Sequence, residues 1–389
     1  MDQSNWNHTT KEKAQQLLPR QMELLKQFAA IDCGTGNLAG NAQVVELVCQ
    51  VLKEIGAKVE ITECPKTGKH VIGRLNAGSK HGKIIFNAHL DTVFHPGDTQ
   101  KHPFHVEGDW AHGLGVADCK GGVAVSLFAA LGAKELGLLP DCEVVFLYNA
   151  DEEIGSPIGR KLFEQESKGA DYAFVFEPAR ENNGIITLRK GVAFIKLAVT
   201  GKEAHAGLKY ADGRSANVEL ASKILELYNK NDDVHELYYN IGTMQGGTST
   251  AIVPGAAKAD CCVSLKDDQA LQTAKAHVAS LADHAFLEGT TTTAEMDVLF
   301  PPMERTEKNL QAYDLVHRAG LQMGCDFPEC HSSGSSDACY FSSLGVATVD
   351  AMGPFMNDIH TPSERMYIPG LLERTQLTML VLANLQREG

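Results

Sequence analysis

The chain has 389 residues, 43% of them hydrophobic and 22% charged, with a formal net charge of −14. That length suits two or three domains, or one large α/β domain carrying an insertion. The acidic balance argues against a nucleic-acid partner, whose binding needs concentrated Lys and Arg, but leaves room for a small anionic substrate held by a local basic group.

The N-terminal stretch MDQSNWNHTTKEKAQQ is polar and lacks the apolar core of a secretory signal. No apolar run reaches the roughly 18 residues of a membrane span. The expectation is a cytoplasmic protein with no membrane partner. Ten scattered cysteines, Cys261 and Cys262 adjacent among them, fit free thiols in a reducing compartment. Cys325, Cys330 and His331 match no standard zinc spacing.

Residues 10–29 and 41–55 read as amphipathic helices, AKVEITEC and HVIGRL as short strands. KIIFNAHLD is a buried strand with a polar end, and CKGGVAVSLFAALGAKELG a helix. EVVFLYNADEE is a strand, with a helix starting at Ser156 in SPIGRKLFEQES, and DYAFVFEP is another strand. This alternation predicts a largely parallel sheet with helices on both faces.

The pattern changes after Asn183. GIITLRKGVAFIKLAVTG, ELYYNIGTMQGG, AAKADCCVSLK and TTTTAEMDVLF read as strands, GRSANVELASKILELYN and QALQTAKAHVASLADHAF as helices. They predict an inserted α+β unit over 184–300 with an antiparallel sheet. From about 301 the first pattern resumes, with helices at 307–323, around SSDACYFSSL and at 369–387, and a strand at VATVDAMG. The main domain is therefore discontinuous, 1–183 and 301–389.

Chemistry-bearing residues cluster where apolar strands end. KIIFNAHLD ends in His89 and Asp91, VVFLYNADEE in Asp151, Glu152 and Glu153, and YAFVFEP in Glu177. His360 follows VATVDAMGPFMNDIH, and Asp118 precedes a helix. Open α/β sheets bind ligands beyond the carboxyl ends of their strands. Two imidazoles and several carboxylates gathered there need divalent cations to relieve their repulsion, and this donor set suits zinc best, then cobalt or manganese. Each residue also has a bland reading. His89 could be a core histidine bonded to Asp91, Asp118 a helix cap, DEE a solvated charge run, Glu177 a loop acid and His360 a surface turn. A second histidine group, His95, His102, His105 and His112, has no common ligand spacing and reads as exposed loop and strand.

The motifs NAHLDTV, VEGDWAHGLGVADCKGG, NADEEIGS, FEP, GKEAHAG and IHTPSE, in this order, resemble the zinc-dependent aminoacylase and carboxypeptidase family. Within it the glutamate carboxypeptidases that cleave folate-type amides are most similar. The resemblance implies two zinc ions per subunit, with Co2+ or Mn2+ as substitutes. His89 and Glu177 would hold one, Glu153 and His360 the other, and Asp118 would bridge them, with a cis peptide at Asp118–Cys119. It makes Asp91 the partner that orients His89, and Glu152 the general base. It makes His205 an oxyanion donor that crosses from a partner subunit, so that the inserted domain is a dimerisation domain and the enzyme a homodimer.

The implied function is hydrolysis of an amide bond to a C-terminal amino acid, glutamate being the family precedent, in an N-acyl or peptide-like substrate. An N-acyl amino acid deacylase and a non-catalytic metal-binding scaffold are the alternatives. Two departures concern the substrate. Ala251 stands where relatives carry Asn, and Ser264 where they carry an arginine that binds the substrate carboxylate. Arg189, Lys190, Lys209, Arg214 and the loop around Gly334 are the groups that could replace it.

Overall fold

The computed structural model describes residues 6–180 and 182–388. The polar start, residues 1–5, lies outside them. The chain divides into two compact units, residues 1–188, 305–331 and 336–389 in one and residues 189–304 with 332–335 in the other.

The larger unit is built on a six-stranded sheet. Its edge hairpin, Lys58–Cys64 and Gly68–Leu75, runs antiparallel to Glu143–Asn149. Beyond it Glu143–Asn149, Lys83–His89, Tyr172–Val175 and Ala347–Val349 lie parallel in that order. The expected largely parallel sheet is thus present. Six successive residues of Lys83–His89 are buried, from Ile84 to His89, so both faces of the sheet centre are covered. Helix Lys120–Leu136 makes the crossover between the strands Lys83–His89 and Glu143–Asn149, as a parallel pair requires.

From Lys83–His89 the chain moves to the neighbour on one side, then to Tyr172–Val175 on the other. This reversal opens a crevice at the carboxyl end of Lys83–His89, the place where doubly wound sheets bind ligands. The two glycines of CKGG matter here. A Cβ on Gly122 would stand 1.8 Å from the Phe176 carbonyl oxygen, so only glycine lets the helix start approach the strand leading to Glu177.

The expected helix start at Ser156 is displaced to Gly159, and Glu152–Ile154 forms a single 3₁₀ turn. Ser156 has φ +50° and its hydroxyl donates to Asp337 (2.5 Å). The cap position is Ile158, and Asp151 accepts from the N–H groups of Ile158 (2.7 Å) and Gly159 (3.1 Å).

The smaller unit holds a four-stranded antiparallel sheet in the order Tyr238–Gly246, Ala256–Leu265, Gly191–Thr200, Thr291–Phe300. Ala193, Ile195, Leu197 and Val199 alternate inward and pack in one core with helices Ala216–Tyr228 and Asp268–Ser280, while Phe194, Lys196, Ala198 and Thr200 face out. Under the helices lies a buried charge pair. Glu219 accepts from the N–H groups of Phe286 (3.1 Å) and Leu287 (2.7 Å), and Lys223 Nζ stands 3.6 Å from its carboxylate. Burial pushes the Glu219 pKa up, but these bonds outweigh it and the net direction is down. A depressed carboxylate stabilises the fold above its unfolded pKa, and that contribution is lost as pH falls through the folded value. Replacement Glu219→Gln leaves Lys223 with the His284 carbonyl (2.6 Å) and Glu226 (3.9 Å), and is expected to cost roughly 2 kcal/mol. Thermal melts at pH 7 should show a lower midpoint, with the gap from wild type closing in acid. An unchanged midpoint at pH 7 contradicts this.

Candidate metal centre

Three strands deliver their terminal side chains to one edge of the large sheet. His89 closes Lys83–His89, the Glu152–Glu153 turn follows Glu143–Asn149, and Glu177 follows Tyr172–Val175. Asp118 sits at the end of the loop before helix Lys120–Leu136. It does not cap that helix, whose cap position is Cys119 and draws no side-chain bond. Its two carboxylate oxygens face different imidazoles instead. Oδ1 lies 2.9 Å from His89 Nε2, and Oδ2 lies 3.1 Å from His360 Nε2. Glu177 Oε1 is 3.5 Å from His89 Nε2, and Glu153 Oε2 is 3.5 Å from His360 Nε2. The five residues therefore form two groups, each one histidine and one glutamate, on either side of a shared aspartate. The peptide Asp118–Cys119 is cis.

His89 Nδ1 lies 3.0 Å from the Asp91 carbonyl oxygen. Nδ1 donates there, and Nε2 faces Asp118 and Glu177. The Asp91 carboxylate also lies 3.5 Å from His89 Nδ1 and has a second task. It accepts from the Thr35 hydroxyl (2.6 Å) and from the N–H groups of Glu152 (3.2 Å) and Glu153 (3.3 Å). One residue thereby fixes both an imidazole and the glutamate turn.

The charge balance is lopsided. Asp118, Glu152, Glu153 and Glu177 surround two imidazoles. Burial, with Asp118 and Asp91 adding to it and the histidines opposing, lifts Glu153 to about 8. Burial also pushes Glu152 well up, with Glu177, Asp337 and Glu153 adding to it. The hydrogen bond to Asp118 raises His360 to about 9 against its partial burial. Burial lowers His89, yet Cys119, Asp118, Asp91 and Glu177 together raise it well above its usual value. Without cations the carboxylates cannot all be ionised, and the imidazoles hold protons that a metal would displace.

The residues fit divalent ions. The donor atoms of His89, Asp118 and Glu153 lie within 4.8 Å of one another, as do those of His89, Cys119 and Glu177. Glu153 Oε1 is buried without a hydrogen-bond partner among the described residues. Cys119 is excluded as a ligand. Its Sγ–H donates to the Phe176 carbonyl (3.1 Å), and burial pushes the thiol well up. What remains is nitrogen and carboxylate oxygen, a set suited to two ions sharing one carboxylate.

Three residues that sequence reading left without a role complete the frame. Glu364 is 1% exposed, and its carboxylate accepts from the N–H groups of Gly115 (2.9 Å), Ala117 (2.8 Å) and Asp118 (3.1 Å). Asp337 accepts from Ser156 and from Asn149 Nδ2 (2.7 Å), tying down the end of the Glu152–Glu153 turn. Thr35 anchors Asp91 from the N-terminal region. The signal for Glu364 was present in IHTPSE, an acid four residues past His360.

The other sequence candidates lie in the smaller unit. Arg189 is buried, and its Nη1 donates to the Gly334 carbonyl (2.9 Å) and Ser332 Oγ (3.3 Å), so it ties down the loop it was expected to act beside. Lys190 pairs with Glu236 (2.6 Å). Arg214 Nη1 donates to the carbonyls of Ala211 (2.9 Å) and Gly213 (2.6 Å) at a cavity of about 370 Å³ shared with Tyr210 and Glu288. Ser264, in place of the arginine, sits in the sheet opposite Val192 and Tyr238. His205 is exposed, and its Nδ1 accepts from the N–H groups of Gly207 and Leu208, both at 3.1 Å. That fixes the neutral tautomer with the proton on Nε2, pointing a donor outward.

Comparison with known proteins bears on the family and the fold. Carboxypeptidase G2 of Pseudomonas sp. is 29% identical over 343 residues, covering 86% of this chain and 81% of that one. Aminopeptidase PepT of Bacillus cereus has a TM-score of 0.78 at 22% identity, covering 95% and 99% of the two chains. The YXEP protein of Bacillus subtilis, described as a dinuclear metal binding peptidase, has a TM-score of 0.67 at 16% identity, covering 96% and 99%. The sequence profile of peptidase family M20/M25/M40 matches residues 85–384, so a chain that gathers two histidines and two glutamates about one aspartate is a hydrolase of the metallopeptidase type and belongs to that family.

Proposed function

We propose that the chain is a two-zinc amide hydrolase that releases a C-terminal amino acid, glutamate being the first to test, from N-acyl or peptide-like substrates. The observation that carries it is the division of Asp118, one oxygen to each imidazole, with a glutamate beside each. His89, Glu177 and Asp118 would hold one ion, and His360, Glu153 and Asp118 the other. Bound there, the ions would polarise the scissile carbonyl and bring the pKa of water towards neutrality. Glu152 takes the proton from the attacking water and returns it to the leaving amine. Burial suits it to this work, because a carboxyl with a raised pKa both accepts and donates near neutral pH. Asp91 holds Glu152 in place through its backbone N–H. The partner subunit's His205 donates from Nε2 to the developing oxyanion.

Pairing of subunits is supported by the smaller unit. Helix Ala216–Tyr228 leaves Val218, Leu225 and Tyr228 exposed, and Tyr238–Gly246 is an edge strand whose Tyr238 and Met244 are also exposed. An unpaired strand edge beside apolar side chains is a ready site for a second copy.

The name of carboxypeptidase G2 supports C-terminal release. Ser264 in place of the arginine leaves the amino acid open, so the assay is a panel. Removal of metal with a chelator should abolish hydrolysis, and zinc should restore it. Among substrates, acyl-glutamates and dipeptides with bulky N-terminal groups should outpace free acetyl amino acids. The reverse order would make the chain a deacylase, and turnover that survives complete metal removal would defeat the two-zinc reading.

A further inference from the structure

The second histidine group, dispersed in the sequence, is partly assembled in the fold. Strands His105–Glu107 and Trp110–His112 form a hairpin in which His105 pairs with His112. The two imidazoles stack, with centroids 4.6 Å apart and planes 8° from parallel. Glu107 lies two residues beyond His105, on the same face of its strand. Donor atoms of His105, Glu107 and His112 come within 4.8 Å of one another.

The orientation of His105 adds an independent indication. Its Nδ1 lies 3.2 Å from the Pro103 carbonyl oxygen and donates to it. Nε2 therefore keeps its lone pair, the arrangement found in metal-bound imidazoles whose other nitrogen is held by a carbonyl. His112 is biased towards the neutral form by partial burial, then by His105 and Arg365. Arg365 stands opposite His112 in the neighbouring strand. Its guanidinium lies 4.7 Å from the Trp110 ring centroid, and its Nε is 3.7 Å from Asp358 Oδ2. The stacked rings need a turn of His112 about its Cβ–Cγ bond to aim both lone pairs at one point.

We propose that the hairpin His105–His112 binds one divalent transition ion of the zinc class, through both imidazoles and the Glu107 carboxylate, in addition to the ions at Asp118. Two imidazoles and a carboxylate select zinc, nickel or copper over calcium and magnesium. The site is solvent-facing, so water completes the coordination and the ion exchanges readily.

The test uses the whole protein without a histidine tag, first freed of loosely held metal by gel filtration. Calorimetric titration with zinc chloride should show one further equivalent per chain. His105→Ala and Glu107→Gln, both at exposed positions, should lose or weaken that step and keep wild-type hydrolysis. On an immobilised nickel column the wild type should be retained and His105→Ala should elute early. Absence of the extra equivalent in the wild type overturns the proposal, and so does its persistence in His105→Ala. Neither result touches the Asp118 centre, whose own failure would appear as hydrolysis that is independent of metal.

Discussion

Glu152→Gln should lower kcat by about 10³-fold while zinc content stays at the wild-type level. General acid–base catalysis by a positioned side chain contributes roughly 10²–10⁴-fold, and glutamine keeps the shape of glutamate without its basicity. The turn should survive the change, because Asp91 holds the backbone N–H groups of Glu152 and Glu153 and not the Glu152 side chain. In the wild type the acid limb of the pH–rate profile is expected to belong to this carboxylate. Activity should fall as pH drops and the base becomes protonated. The variant should lose that limb along with its rate. Single-turnover kinetics with elemental analysis of the same sample decide the matter. Turnover within a few-fold of wild type would remove Glu152 from the proton path.

Glu364→Gln should weaken metal binding by about 10–100-fold, the usual cost of losing a group that holds a ligand in place. Three backbone N–H donors, from Gly115, Ala117 and Asp118, converge on one carboxylate. A glutamine amide offers one acceptor oxygen and turns an NH₂ group towards donors, so at least one buried N–H is left unpaired at about 1–3 kcal/mol. Asp118 rides on that loop and should lose its fixed aim at both imidazoles. The readout that separates positioning from general damage is saturation. Excess zinc should restore much of kcat in Glu364→Gln, with KM little changed. A variant with wild-type zinc affinity would leave Glu364 a purely local support.

The parallel sheet was legible in the sequence because its strands are apolar throughout and separated by helical periods. The gathering of His89, Asp118, Glu153, Glu177 and His360 was legible for a related reason, since each polar residue closes or follows an apolar strand or precedes a helix. Strand order was not legible. The contact between Asp91 and the Glu152–Glu153 turn exists only because Lys83–His89 and Glu143–Asn149 are neighbours in register. Ser156 misled for a local reason. A serine before proline reads as a helix cap, but a distant aspartate, Asp337, claimed its hydroxyl, and Asp151 accepts the N–H at the displaced start. Arg189 reads as an anion-binding candidate by its charge, and its contact with the Gly334 carbonyl was not legible in the sequence.

The wide separation along the chain of the five donor residues, from position 89 to position 360, has a kinetic corollary. No short fragment carries enough of them to retain an ion, so a bound ion should leave fastest when the strand termini open together. The off-rate of zinc and the slowest amide exchange at Leu90 and Phe176, whose N–H groups bond Asn149 and Asn87 across adjacent strands, should therefore share one temperature dependence.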